Sequence, residues 1–383
     1  MILHRPISRR HVLRTGAALT ALSALSPARM AMADPTGDPF VLRAASGQAA
    51  LRPSPYGPTN VWSYNGSVPG PEIRVRQGDR VLVLAQNGLD EGTTIHWHGI
   101  RTPNAMDGVP FLTQDPIPVD GDFLYEFDAL DAGTFWYHPH QRSSEQVGRG
   151  LYGPLIVEEV DPIRVDRDLT WMLDDWRMTR AGQLSDDFDN RHDAMHGGRI
   201  GNSVTINGQI PERIAVQSGE RIRLRLINAA NARIFGLDFG DFEPVVVALD
   251  GQPVTPHAPD GDIVVIGPAM RVDLVIDMTG KPGEVVTVTD AFYEGLEYRL
   301  VDLAYGPDKL RDSVPDWPME LPPNPLAEPD MASAARHQIV FNGGMMGQMM
   351  MGGGMGSMMG QMREGNMWFI NGEAATGHMM DPL

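Results

Sequence analysis

The sequence predicts an all-β protein made of repeated sandwich domains. Three observations carry that prediction. Apolar and polar residues alternate in short runs along most of the chain, the period-two pattern of half-buried strands. The 383 residues include 42 Gly and 31 Pro, which suits many turns rather than long helices. A short segment also recurs. It stands as Asn65-Gly66-Ser67-Val68-Pro69, as Asn207-Gly208-Gln209-Ile210-Pro211, and as Phe369-Ile370-Asn371-Gly372-Glu373. The Asn-Gly pairs are 142 and then 164 residues apart, a spacing of one domain each.

Residues 1–33 read as an export signal. Ser8-Arg9-Arg10-His11-Val12-Leu13-Arg14 carries the twin-arginine pattern, a weakly apolar stretch follows over 15–25, and Ala31-Met32-Ala33 is a small-x-small cleavage site. The stretch is too short and polar to span a membrane, and no other segment reads as a span. The expected location is the periplasm. Residues 39–160 form the first domain, with strands at 73–76 and 80–84 joined by Gln77-Gly78-Asp79, and others at 123–127 and 153–157. Residues 163–304 form the second, opened by a strand over 169–176 and continued over 245–249, 263–266, 272–276 and 285–289. Residues 305–335 are Pro-rich and read as an extended linker. Residues 336–383 begin a third copy.

The chemistry concentrates in two short runs. Ile95-His96-Trp97-His98-Gly99 and Tyr137-His138-Pro139-His140 hold four of the eleven histidines. On a strand, residues i and i+2 share a face, so each His-x-His pair aims two imidazoles at one spot. Two such strands side by side aim four, enough to hold a cluster of metal ions. Imidazole suits copper, zinc, iron and nickel.

Thr94-Ile95-His96-Trp97-His98-Gly99 followed by Gly133-Thr134-Phe135-Trp136-Tyr137-His138-Pro139-His140 resembles the N-terminal half of the multicopper oxidases, the laccases and cuprous oxidases. So do Asp107-Gly108-Val109-Pro110 and Thr113-Gln114-Asp115-Pro116-Ile117 between the pairs. The resemblance runs from about residue 40 onward. It implies tandem cupredoxin-like Greek-key β-sandwiches. It implies copper, with the type 2 ion on His96 and the type 3 pair on His98, His138 and His140. It implies that Cu(I), a phenol or another small reductant gives up single electrons while O2 is reduced by four electrons to water. Asp107, 11 residues after His96, matches the acidic residue that supplies protons in the family. As a bare sequence feature it is also a turn Asp before Gly108.

The repeat says where the other ligands belong. His96 lies 31 residues after Asn65, and the same offset from Asn207 falls on Asp238, where there is no His pair. The middle domain therefore reads as structural. From Asn371 the same offset falls beyond Leu383. The resemblance puts the remaining ligands in the third domain, in a His-x-x-His-x-His run and a His-Cys-His run. The sequence holds no Cys, and a type 1 blue-copper site needs that thiolate. Four of the family's usual ten ligands are here, none of them for type 1 copper. The expectation is a member whose third domain is truncated.

Residues 345–362 are Gly-rich and contain nine Met, at Met345, Met346, Met349, Met350, Met351, Met355, Met358, Met359 and Met362. They lack the periodicity of a core segment. Thioethers are soft donors that select Cu(I), and the stretch resembles the Met-rich insert of bacterial cuprous oxidases involved in copper tolerance. A rival reading keeps the location and drops the catalysis: a periplasmic copper-binding protein using this segment as a sponge. A second rival is a copper-free structural relative, against which all four histidines argue. His192 and His196 are four apart with Met195 between them, in an Asp/Asn/Arg/Gly loop, and read as a solvated surface pair. His257, in a Pro-rich turn, receives no role. Formal net charge is −18, which disfavours nucleic acid as a partner and attracts cations. The lack of Cys excludes disulfides and thiol catalysis.

Overall fold

The computed structural model describes residues 31–32, 37–188, 190–327, 329–343 and 368–372. Its first sandwich stacks two sheets. One runs Thr59–Tyr64, Phe40–Ala49, Arg80–Gly88, Asp122–Asp128 in spatial order. The other runs Ala31–Met32, Ile73–Arg76, Gly153–Glu158, Gly133–His138, His96–His98. The alternation in Arg80–Gly88 works as read: Val81, Val83 and Ala85 turn inward and are buried. They meet Trp97, Tyr125, Phe127, Phe135 and Tyr137 in one core. A fully buried Val or Phe of this kind contributes about 1.5–3 kcal/mol.

The second sandwich repeats the plan. Its larger sheet is Ser203–Ile206, Arg167–Trp176, Arg221–Asn228, Arg271–Asp277, Val245–Leu249, Gln252–His257. The smaller is Arg213–Ser218, Tyr298–Lys309, Val285–Asp290, Phe235–Asp238, Val264–Ile266. The strand Tyr298–Lys309 runs past the boundary drawn at 304, because residues 213–218 supply it with a parallel partner through Lys309.

The recurring Asn-Gly turns are one structure built three times. Asn65, Asn207 and Asn371 have φ of 52°, 51° and 52°, and the glycines after them 77°, 72° and 85°. Two successive positive φ values make the tight hairpin turn whose twist suits β-strands, and Asn-Gly is the pair that adopts it at least cost. Each Asn also ties the turn to a neighbouring strand. Its Oδ1 accepts from Arg43 N at 2.7 Å, Met172 N at 2.8 Å and Val340 N at 2.9 Å respectively. The third turn joins no larger sheet among the described residues, only the hairpin Phe341–Gly343 with Trp368–Ile370.

The two sandwiches share a large interface. Its apolar part joins Trp136, Val147 and Tyr152 to Met172, Trp176 and Ile227. Its charged part comes from Arg221–Asn228, buried along its whole length. Ile222, Leu224 and Leu226 face their own core. Arg223 and Arg225, 2% and 1% exposed, face the other way. Arg223 donates to Glu159 at 2.8 and 3.0 Å and to Asp273 at 2.7 Å. Arg225 donates to Asp168 at 2.7 and 2.8 Å and to Thr134 Oγ1 at 2.9 Å. Burial alone would raise the Asp168 carboxyl, but Arg225, Arg223 and Arg74 hold it well below the usual carboxylate range.

Over residues 311–327 the Pro-rich stretch after the second sandwich forms neither helix nor strand, and it is packed. Leu321 is buried against Val247, Ala248 and Val275. Asn324 accepts from Ala132 N at 2.8 Å and donates to Ala132 O at 2.9 Å and Gln252 Oε1 at 3.0 Å. It straps both sandwiches. No helix among the described residues is long and apolar enough to cross a membrane.

Candidate metal centre

Trp97 organises the first His pair. It is fully buried, with ring centroids 5.6, 5.2 and 5.9 Å from Tyr125, Phe127 and Tyr137. Successive strand residues point to opposite faces, so seating Trp97 in the core turns His96 and His98 outward together. The neighbouring strand Gly133–His138 runs antiparallel, with His96 opposite His138 and His98 opposite Trp136. The Trp136 ring stacks on His138 at 4.1 Å. His96, His98 and His138 each offer a ring nitrogen, and these all lie within 4.8 Å of one another. His140 stands just beyond that group, its ring 5.5 Å from His96 and 6.4 Å from His138 between centroids.

Hydrogen bonds select the free nitrogen on two of the rings, those of His96 and His138. A carbonyl only accepts, so a ring nitrogen bonded to one carries the proton. His96 Nδ1 donates to the Asp107 carbonyl at 2.7 Å, and His138 Nδ1 to the Pro139 carbonyl at 2.9 Å. Both Nε2 atoms keep their lone pairs. His98 instead turns Nδ1 toward His138 Nε2, at 3.2 Å. His140 is held through its backbone, whose N–H donates to Thr94 Oγ1 at 3.1 Å. Beneath it Thr93 donates to Gln146 at 2.7 Å, and Gln146 to Glu91 at 2.7 Å.

Glycines let this happen. Gly108 has φ +76°, and a Cβ there would stand 1.9 Å from Ile95 O. Its absence lets the loop after residues Asn104–Met106 lie on the His96 strand, which brings Asp107 to His96. The Asp107 carboxylate is then 3.4 Å from His96 Nδ1. At Gly99, φ +88°, a Cβ would stand 2.1 Å from Arg271 Nη2. Arg271 reaches over from the second sandwich, held by Asp250 O at 2.9 Å and Ala269 O at 2.8 Å.

The electrostatics favour neutral rings. Burial, then the Arg271 guanidinium, His96 and His140, push His98 down to about 3. Burial also takes His138 well down, against the pull of the Pro139 carbonyl. Burial and His96 lower His140, while Asp107 pulls it the other way. Neutral imidazoles with lone pairs aimed together are what a transition metal requires, and the all-nitrogen set suits copper.

The other candidates fall elsewhere. The nine Met from Met345 to Met362 lie outside the described residues, as does nearly all of the export signal. His192 and His196 are exposed on the short helix Arg191–Met195 and its cap. His257 is exposed at the end of the strand Gln252–His257, and its ring Nδ1 donates to Ala258 O at 2.7 Å. Sequence reading missed Arg271 and the residues 91–94 to Gln146 support, because no local pattern connects residues so far apart. Gly99 and Gly108 beside His and Asp were the available signal.

An all-β sandwich pair with convergent histidines on adjacent antiparallel strands defines a metal-binding protein of cupredoxin-like build. The multicopper oxidase profile matches residues 47–161, and a second multicopper oxidase profile matches 167–295. A multicopper oxidase structure from Pseudomonas thermotolerans is similar at 37% identity and TM-score 0.73, over 80% of this chain and 72% of that one. Lac15 from a marine microbial metagenome is similar at 39% identity and TM-score 0.64, over 77% of this chain and 73% of that one. The chain belongs to the multicopper oxidase family. Among curated relatives, a copper resistance protein A homolog from Pseudomonas syringae pv. tomato is 34% identical over 51% of this chain and 41% of its own length. The multicopper oxidase MmcO of Mycobacterium tuberculosis is 31% identical over 70% of this chain and 55% of its own length. The chain thus spans about half the length of the curated relatives it matches.

Proposed function

We propose that this protein takes part in the oxidation of Cu(I), phenols or other small reductants by O2, and that it does so in copper tolerance. One observation carries the proposal: the antiparallel register that sets His96 opposite His138 and turns His98 to the same face. Bound copper would supply the one-electron steps that four-electron reduction of O2 to water requires. His96 would hold the type 2 ion, and His98, His138 and His140 the type 3 pair. Asp107 would orient water and deliver protons beside His96, at the 3.4 Å its carboxylate already keeps. Trp136 packs on the His98 and His138 rings, and Trp97 anchors the strand His96–His98 from the core.

The names of relatives called copper resistance proteins support the tolerance role. The Met-rich run 345–362 supports Cu(I) as the reductant. The twin-arginine pattern Ser8-Arg9-Arg10 supports export to the periplasm. A blue type 1 site needs a thiolate, and residues 1–383 hold no Cys. That observation favours a second reading, in which the chain binds copper at these histidines and the Met run without oxidising anything.

The test is oxygen consumption by the copper-loaded protein with Cu(I) and with a phenol as donors. Turnover abolished by His98→Ala supports the oxidase reading. Undiminished copper binding with no oxygen uptake from either donor selects the binding-protein reading.

A further inference from the structure

We propose that His192 and His196 form a second, surface metal site that takes a divalent ion of the Cu(II), Ni(II) or Zn(II) class. His192 lies in the first turn of the helix Arg191–Met195, and His196 is its C-cap residue, where the backbone leaves the helix at φ −121° and ψ −126°. Their rings still meet, with the two imidazole centroids 4.1 Å apart and 31° from parallel. His196 Nδ1 donates to the His192 carbonyl at 2.8 Å. The carbonyl fixes the proton on Nδ1 and leaves the Nε2 lone pair for a ligand.

The helix is held far more firmly than its length explains. Five residues do not make a stable helix alone. Asn190 Oδ1 caps it, accepting from His192 N at 2.8 Å. Asp193 is clamped by Arg177, at 2.6 and 3.1 Å. Trp368 Nε1 donates to Ala194 O at 2.7 Å from the far end of the sequence. Asp193, Ala194 and Met195 turn partly inward, whereas His192 and His196 stay exposed. A braced helix that presents two imidazoles is preorganised for binding, since little ordering remains to oppose it.

The sequence adds a use for the site. Soft thioether donors for Cu(I) stand in the run 345–362 of the same chain, and an imidazole pair is a borderline donor set that prefers Cu(II). This inference does not depend on oxidase activity at the His96 centre.

The experiment is Cu(II) titration of the full chain, followed by calorimetry and by electron paramagnetic resonance. One equivalent should bind at the surface pair with micromolar affinity, and a mild chelator should remove it. The double substitution His192→Ala with His196→Ala should abolish that equivalent. His98→Ala with His138→Ala should leave it in place, so failure here and failure at the main centre are distinguishable. Asp193→Asn, which keeps both imidazoles and weakens the brace, should lower the affinity several-fold. Identical Cu(II) stoichiometry and affinity in wild type and a folded His192→Ala, His196→Ala protein would overturn the proposal.

Discussion

At the residue scale, the centre depends on groups that are not ligands. Gly108→Ala puts a methyl where Ile95 O stands 1.9 Å away, in backbone at φ +76°. The strain of a left-handed residue alone is about 1–2 kcal/mol, and the clash adds to it. The expected result is a loss above about 2 kcal/mol in denaturant unfolding and less copper retained, because His96 loses the Asp107 carbonyl. A neighbouring Gly92→Ala change, whose Cβ meets Pro116 at 3.2 Å, should cost less. Protonation gives a second test. His98 titrates in the folded state at about 3, while in the unfolded chain His titrates near 6.5. Below that higher value the unfolded state binds the extra proton, so folding stability falls as pH drops from about 6.5 toward 3. For this one ring the slope is at most about 1.4 kcal/mol per pH unit. Metal-free protein should show this in unfolding free energies measured across that range, and His98→Ala should reduce the slope while His138 and His140, also lowered, keep part of it.

At the scale of the element, strands do the positioning and much of this was legible in the sequence. The His-x-His spacing told which face the ligands share, and Trp97 between them told which face is core. The Asn-Gly repeat told where the same turn recurs, because its chemistry is local: two positive φ values and one side-chain bond. What the sequence did not tell was the fate of the polar face of Arg221–Asn228. Alternating Arg and Leu or Ile reads as a strand half in water. In the structure the arginine face is covered by the first sandwich, and only the carboxylates of Glu159, Asp168 and Asp273 make that tolerable. Those partners lie 48 to 64 residues away along the chain, beyond any local pattern. Arg225→Ala removes one member of a buried network and takes from Asp168 both of its 2.7 and 2.8 Å bonds, while Asp273 keeps Arg223. It should cost about 3–5 kcal/mol, measured as a shift of the urea midpoint. It should also loosen the His138 strand, which Arg225 holds through Thr134.

At the scale of the whole molecule, the two sandwiches act as one body around the site. Arg271 of the second reaches Gly99 and lowers His98 in the first, so the ligand set is tuned by a domain that supplies no ligand. The strap at Asn324 completes the joint. Asn324→Ala leaves the Ala132 amide and carbonyl without their partner, at about 1–3 kcal/mol, and should raise the rate of proteolysis within residues 310–330. That residues 311–327 form neither helix nor strand was legible from their prolines. The docking of this strap was not, since nothing local marks Leu321 or Asn324 as buried or bonded. The Met-rich run keeps its proposed role as a Cu(I) donor on composition alone.

The most direct measurement is anomalous diffraction at the copper edge from crystals of the full chain loaded with copper. A peak between His98 Nδ1 and His138 Nε2, with a further peak at His96, is the expected result. Copper bound in solution but no anomalous density at His96, His98, His138 or His140 would contradict the account.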